Sequence, residues 1–329
     1  MTLALRDPRQ VTSVGIIGAG VIGGGWAIHF LRRGLDVTVW DPGKAARATL
    51  ERMIEQVWPI MVELGLSPGA SPQRLRWVDS TRALADRVEF IQENAPEVLA
   101  VKQELYRELG EVVAADVPIL SSTSGFPMTE IQARCATPAR TAVGHPFNPP
   151  YLIPFLEVVG GRLSDPAVVD WAVDFYRFHD KQPVKMAREL PGFLGNRLQD
   201  AIWREALHMV AADEASVEDI DTSIAFGPGL RWAIMGPCLT FHLGGGEGGM
   251  AHLLDHFGPS LKEPWTRLEA PELTAELRQR MVDGCLREAG NRTMADLVRE
   301  RDICLLRIIK ALEDFRRSHS VARARAAVA

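Results

Sequence analysis

The chain has 329 residues, a net charge of -5 and a pI near 5.9. That length suggests two domains at roughly 150 residues each. The acidic balance argues against a nucleic-acid partner, which would need a basic face to displace counterions. No apolar run reaches the ~20 residues of a membrane-spanning helix. The first ten residues carry two arginines with no apolar stretch behind them, unlike a signal peptide. A cytoplasmic location is expected.

Short β-branched runs alternate with longer amphipathic runs through the first part of the chain. Val14 to Ile17 reads as a strand, and Val21 to Arg33 as a helix closed by Gly34. Val37 to Trp40 is a second strand. Lys44 to Leu64 is a long helix, with a bend expected at Pro59. Val88 to Ile91, Ile119 to Ser121 and Thr141 to Val143 read as further strands. Val98 to Ala114 and Met128 to Ala133 are helical candidates between them. Phe155 to Val159 and Pro183 to Met186 are two more strands around a helix from Pro166 to Phe178. This rhythm predicts a mostly parallel sheet with helices on both faces.

After Leu190-Pro191-Gly192 the rhythm changes and no strand is expected. Gly195 to Ala212 is helical. Ser216 opens another helix, with Asp219 as its capping-box partner. Met294, Leu297, Val298, Leu305, Ile308, Ile309 and Leu312 repeat at helical spacing. The Ala- and Arg-rich tail from Ser318 is expected to fray. The fold class is therefore α/β: a Rossmann-type, mostly parallel sheet domain over residues 1–190, followed by an all-α C-terminal domain over 191–329.

Cys135, Cys238, Cys285 and Cys304 form no zinc or disulfide pattern and read as reduced thiols. His252 and His256 lie four apart, but Leu253 stands where a zinc protease needs its catalytic glutamate. No metal is expected.

Gly18-Ala19-Gly20-Val21-Ile22-Gly23 follows a strand and opens a helix, the context a dinucleotide fingerprint requires. Gly18 permits the tight turn. Gly20 lets a pyrophosphate reach the backbone, and Gly23 lets helix and strand pack closely. The free N–H groups of the helix start then face the phosphates. Asp41 ends the second strand, about 20 residues on, where an acid takes the ribose hydroxyls and repels an added phosphate. Pro42, Gly43 and Lys44 follow, with no arginine immediately after Asp41. The expected cofactor is NAD.

Four further segments come in order: Ser121-Ser122-Thr123-Ser124, Gly144-His145-Pro146-Phe147-Asn148-Pro149-Pro150, Phe155-Leu156-Glu157-Val158-Val159 and Pro191-Gly192-Phe193-Leu194-Gly195-Asn196-Arg197. With the glycine fingerprint, they resemble the 3-hydroxyacyl-CoA dehydrogenase family over nearly the whole chain. The resemblance implies that His145 is a catalytic base and Glu157 its carboxylate partner. It implies that Ser124 and Asn196 bind the reacting oxygen. The residue types suit alcohol oxidation. Histidine titrates in the range needed to take a hydroxyl proton. A carboxylate fixes its tautomer, and neutral donors stabilise charge on oxygen. Glu93, in Glu93-Asn94-Ala95-Pro96-Glu97, resembles the family's acidic segment near the nicotinamide. Lys102 matches a lysine on the next helix, though it reads equally as a solvated helix residue.

Phe226 to Pro237 and Leu239 to Met250 look most like the branch of this family that acts on L-carnitine. They are more loosely similar to the L-gulonate 3-dehydrogenase and lambda-crystallin branch. Carnitine is a 3-hydroxy acid with a trimethylammonium group, which aromatic faces bind well. Phe193 and Trp232 are the first candidates for such walls. Trp203, Phe226 and Phe241 lie near the same motifs. Arg231 is a candidate partner for the substrate carboxylate. The mixed charges around Lys44, Arg47, Glu51, Arg52, Glu55 and Glu63 give little support to a CoA site. An acyl-CoA or gulonate substrate, a crystallin-like structural role and an NAD-sensing role remain alternatives. The resemblance also implies a homodimer through the helical domain.

Overall fold

The structure is a computed structural model, which describes residues 4–257, 266, 267, 272 and 274–326. The chain forms two compact units, Met1–Asn196 and Arg197–Ala329. Of the expected features, the Cys285 side chain and the terminal residues 327–329 lie outside what is described.

The first unit is built on one eight-stranded sheet. Its strands are β1 (Ser13–Ile17), β2 (Asp36–Trp40), β3 (Leu75–Trp77), β4 (Phe90–Glu93), β5 (Ile119–Ser121), β6 (Thr141–Pro146), β7 (Phe155–Val159) and β8 (Gln182–Lys185). The order is β3-β2-β1-β4-β5-β6-β7-β8. Every neighbouring pair is parallel except β6 with β7. Central strands β1, β4 and β5 are buried on both faces, as their apolar runs require. Helices α1 (Val21–Arg32), α2 (Ala46–Leu64), α3 (Thr81–Ala85), α4 (Leu99–Val112), α5 (Met128–Ile131) and α6 (Pro166–Phe178) complete the unit. The chain reverses direction across the sheet at β1, which lies between β2 and β4. A crevice at such a switch point is where open α/β sheets bind ligands.

Two short elements, β3 and α3, have no counterpart in the sequence reading. Strand β6 also runs three residues past the predicted Val143. There β7 pairs antiparallel across Gly144 and His145 and holds them extended. Pro59 stands inside α2.

The second unit contains helices joined by turns, and no strand among its described residues. Its helices are α7 (Gly195–Ala211, whose first two residues belong to the first unit), α8 (Val217–Phe226), α9 (Pro228–Gly244), α10 (Gly249–Phe257), α11 (Ala275–Ala289) and α12 (Met294–Ala326). Ser216 and Asp219 form the predicted capping box of α8. Gly236, at φ 72°, breaks α9 just before Pro237. Val210, Val217 and Leu277 form a small core with Ile220 beside it. The expected fraying from Ser318 is corrected: α12 continues to Ala326. Its alanines and arginines are strong helix formers, and this propensity outweighs the lack of apolar periodicity.

Beneath α1 and α6 lies an aromatic layer that holds three buried basic side chains. His179 packs 4.6 Å from Phe175, and Lys181 Nζ stands 4.9 Å over the Trp26 ring. Burial, with Arg33 nearby, pushes the His179 pKa down to about 3. Burial also drives His29 well below its ordinary 6.5, aided by Lys181 and Arg32. Lys181 is pushed down to about 7 by burial and Arg32. As pH falls below 6.5, the unfolded chain gains protons that folded His29 and His179 refuse, so stability drops. Lys181 acts in the same direction between 10.5 and about 7. The melting temperature is therefore expected to be lower at pH 5 than at pH 8. His179→Phe should flatten the acid limb. A wild-type melting temperature that rises on acidification would contradict this assignment.

Candidate active site

The glycine-rich turn joins β1 to α1, against the end of β4. Gly18 sits at φ 82°, and a Cβ there would lie 2.5 Å from the Asn94 carbonyl oxygen. A Cβ on Gly23 would lie 1.8 Å from the Gly18 carbonyl oxygen. Both positions are therefore closed to side chains by the fold itself. Gly20 differs: a Cβ there meets nothing within 4 Å. Its lack of a side chain keeps space clear in front of α1, whose N-terminus has no side-chain cap. Open space before uncapped N–H groups suits a pyrophosphate.

The adjoining cleft has a volume of about 840 Å³. Gly18, Gly20, Trp40, Asp41, Ala95 and Val101 are among its lining residues. The Asp41 carboxylate accepts from the Ala19 N–H and the Gly43 N–H, both at 2.7 Å. It is thereby fixed at the rim of the cleft. These residues fit a dinucleotide with an unphosphorylated adenosine ribose.

Glu93 and Lys102 face each other at 2.8 Å and are both buried. The reading of Lys102 as a solvated residue is corrected. It packs against β4 because the Glu93 carboxylate gives its ammonium a partner there. Glu93 also accepts from the Ala95 N–H and from the Ser121 hydroxyl. Its side chain thus ties the end of β4 to the end of β5. Asn94, Ala95 and Pro96 line the cleft, while Glu93 does not.

His145 and Glu157 are register partners on β6 and β7. Their side chains meet at 2.8 Å, Nδ1 to Oε2, with Glu157 fully buried and His145 5% exposed. The other carboxylate oxygen accepts from the backbone N–H groups of Leu194 and Gly195. Burial alone would raise the Glu157 pKa. The His145 hydrogen bond and the Gly195 and Leu194 N–H groups outweigh it and hold the carboxyl below its ordinary value. An ionised carboxylate on Nδ1 leaves Nε2 as the nitrogen available for proton transfer.

Ser124 is exposed on the loop after β5. The Asn196 side-chain amide donates to the Ser124 carbonyl at 3.1 Å. The two residues are thus brought together in the first unit. Glu97, which closes the acidic segment of the resemblance without a role of its own there, organises this loop. Its carboxylate accepts from the Thr123 hydroxyl and from the Ser124 and Gly125 N–H groups.

Phe193 corrects another expectation. It is 1% exposed, its ring centroid 5.2 Å from that of His145. Such a ring backs the imidazole and has almost no free face for a ligand. Trp232, Arg231 and Phe241 belong to α9 of the second unit, with Trp232 half-buried and Phe241 55% exposed. Trp203 and Phe226 in the same unit are also exposed. Among the described residues, no group of three or more His, Cys, Asp or Glu side chains could hold a metal ion.

A doubly wound sheet, with a glycine cradle at its switch point and an acid closing β2, defines a dinucleotide-binding protein. The description "3-hydroxyacyl-CoA dehydrogenase, NAD binding domain" matches residues 13–190, and the C-terminal domain of that family matches residues 192–284. The chain belongs to the 3-hydroxyacyl-CoA dehydrogenase family, and its first unit carries the family's NAD-binding domain. The L-carnitine dehydrogenase of Nocardiopsis dassonvillei is 54% identical over 321 residues, 98% of each chain. The L-carnitine dehydrogenase of Streptomyces coelicolor is 55% identical over 307 residues, 93% of this chain and 96% of that one. Among solved structures, 5-formyl-3-hydroxy-2-methylpyridine 4-carboxylic acid 5-dehydrogenase, an NAD+-dependent dismutase, superposes with a TM-score of 0.79 at 26% identity. That match covers 92% of this chain and 99% of that one.

Proposed function

We propose that this protein oxidises the 3-hydroxyl of L-carnitine to 3-dehydrocarnitine, using NAD. The observation that carries the reading is end-to-end identity above one half with proteins named L-carnitine dehydrogenase. The buried His145–Glu157 pair supports the chemistry. NAD, when bound, accepts the hydride from C3.

His145 Nε2 takes the hydroxyl proton. Glu157 holds the ring in the tautomer with hydrogen on Nδ1 and favours the imidazolium as it forms. Ser124 and Asn196 donate to the substrate oxygen and stabilise the charge that develops there. Gly18, Ala19, Gly20, Val21, Ile22, Gly23 and Asp41 hold the dinucleotide. Glu93 and Lys102 serve it from beneath, by fixing the backbone at Ala95. Trp232 and Phe241 offer aromatic faces to the trimethylammonium group, and Arg231 pairs with the substrate carboxylate. Phe193 keeps its link to the substrate only through His145.

The protein is read as a homodimer through the second unit. Leu198, Trp203, Leu239 and Leu243 are each at least 50% exposed there, and Ile308 of α12 is 47% exposed. Exposed apolar side chains of this size within one unit support that reading. The free Cys135, Cys238 and Cys304 suit the reducing cytoplasm.

The test is NADH formation from NAD with L-carnitine, D-carnitine, L-gulonate, 3-hydroxybutyrate and 3-hydroxybutyryl-CoA. The reading predicts turnover with L-carnitine far above all the others. Preference for the CoA ester or for gulonate would overturn the trimethylammonium pocket. Absence of turnover with every alcohol would point to a structural or NAD-sensing role.

A further inference from the structure

Strand β6 carries His145 on an overhang. Its pairing with β5 stops at Val143, opposite Ser121, while β6 continues through Gly144 and His145 to Pro146. On that side the Gly144 carbonyl has no strand opposite it. A side chain takes the place of the missing strand. The Gln92 amide reaches from β4, past the end of β5, and donates to the Gly144 carbonyl at 3.2 Å.

Gln92 is completely buried, and its amide is fully engaged. Its second N–H donates to Ser122 Oγ at 2.8 Å, and its Oε1 accepts from the Tyr176 hydroxyl. Ser122 Oγ also accepts from Trp26 Nε1 at 3.1 Å and donates to Asn94 Oδ1 at 2.7 Å. Asn94 in turn donates to the Ile17 carbonyl at 3.2 Å, at the entry to the glycine turn. The chain matches donor to acceptor at every link, with the Gln92 amide donating toward both ends. It runs from the strand bearing the base to the turn that cradles the dinucleotide. Gly144 fits the same arrangement: a Cβ there would lie 2.3 Å from the Tyr176 hydroxyl oxygen.

We propose that Gln92 is a positioning residue for His145, and that the Gln92–Ser122–Asn94 chain sets the register between the base and the glycine turn. The proposal rests on the assignment of His145 as base. Catalysis is sensitive to such register, since a misplacement of about 1 Å can cost on the order of 100-fold in rate. A buried network in which every member is satisfied is well suited to fixing one geometry.

The test compares wild type, Gln92→Met and Tyr176→Phe. Methionine keeps the length and apolar bulk of glutamine but has no donor for Gly144. The expected result for Gln92→Met is a kcat at least about 10-fold lower with an unchanged dissociation constant for NAD. Tyr176→Phe, which frees Gln92 Oε1, should lower kcat in the same direction by a smaller factor. Proton NMR of the His145 Nδ1–H supplies a readout independent of substrate. Its hydrogen-bonded, downfield resonance should broaden or move upfield in Gln92→Met. A folded Gln92→Met enzyme with kcat within about 2-fold of wild type and an unmoved resonance would overturn the proposal. Should Gln92→Met fail to fold, Tyr176→Phe decides by the same two readouts. Failure of wild type to oxidise L-carnitine would overturn the substrate reading alone, because the resonance still reports the imidazole.

Discussion

Replacing His145 by alanine is expected to lower turnover at least about 100-fold while leaving NAD affinity within a factor of two. The loss is the ordinary scale for removing a general base from proton transfer in the transition state. NAD affinity should survive because His145 stands on β6, away from the turn after β1 and the lining of the adjoining cleft. Removing the imidazole also leaves the Glu157 carboxylate buried with one fewer donor. Leu194 and Gly195 still serve its other oxygen, so the melting temperature should fall without loss of the fold. Steady-state kinetics and NAD titration by fluorescence check both halves. Wild-type turnover in folded His145→Ala would remove the base from the account.

Gly20→Val should abolish measurable NAD binding, with affinity reduced at least about 100-fold, while the apo protein keeps its stability. The two effects separate because of where the new Cβ points. At Gly20 it meets no protein atom within 4 Å, so the folded chain accommodates a β-carbon. The space it enters is the approach to the uncapped start of α1, where the pyrophosphate must touch backbone. Gly23→Val is the control in the opposite sense. Its Cβ would overlap the Gly18 carbonyl at 1.8 Å, so that variant should lose folding stability directly. Calorimetric titration with NAD and thermal melts of both variants separate an occluded cradle from a broken one. NAD binding by Gly20→Val at wild-type strength would show that the pyrophosphate lies elsewhere.

The parts of this molecule that could be read from sequence are those where local pattern and global role coincide. The glycine turn, β1, β2 and Asp41 follow from hydrophobic periodicity plus a motif whose backbone requirements are local. His145 and Glu157 were found through resemblance. Their adjacency is a matter of strand register, which nothing local specifies. Strand β3 and helix α3 are too short to show a period, and β3 lies at the sheet edge with Arg76 exposed. The extension of β6 to Pro146 was hidden because Gly-His-Pro reads as a turn until β7 pairs with it.

Glu97 and Gln92 illustrate a different limit. Each acts through partners distant in sequence: Glu97 through the Thr123–Gly125 loop and Gln92 through Ser122, Gly144 and Tyr176. A polar residue in a buried parallel strand carries no label of its function. Its partners become visible only when the sheet order is known. Phe193 shows the converse. An aromatic next to a recognised motif was read as a wall for ligand, yet its ring is used to back the imidazole.

The central claim is that hydride leaves C3 of L-carnitine for NAD while His145 removes the hydroxyl proton. The most direct measurement is the oxidation of L-carnitine deuterated at C3, followed by mass analysis of the reduced cofactor. The expected result is one deuterium in each NADH formed and a slower hydride-transfer step for the labelled substrate in a single turnover. Reduced cofactor without the label, or no reduction at all, would contradict it.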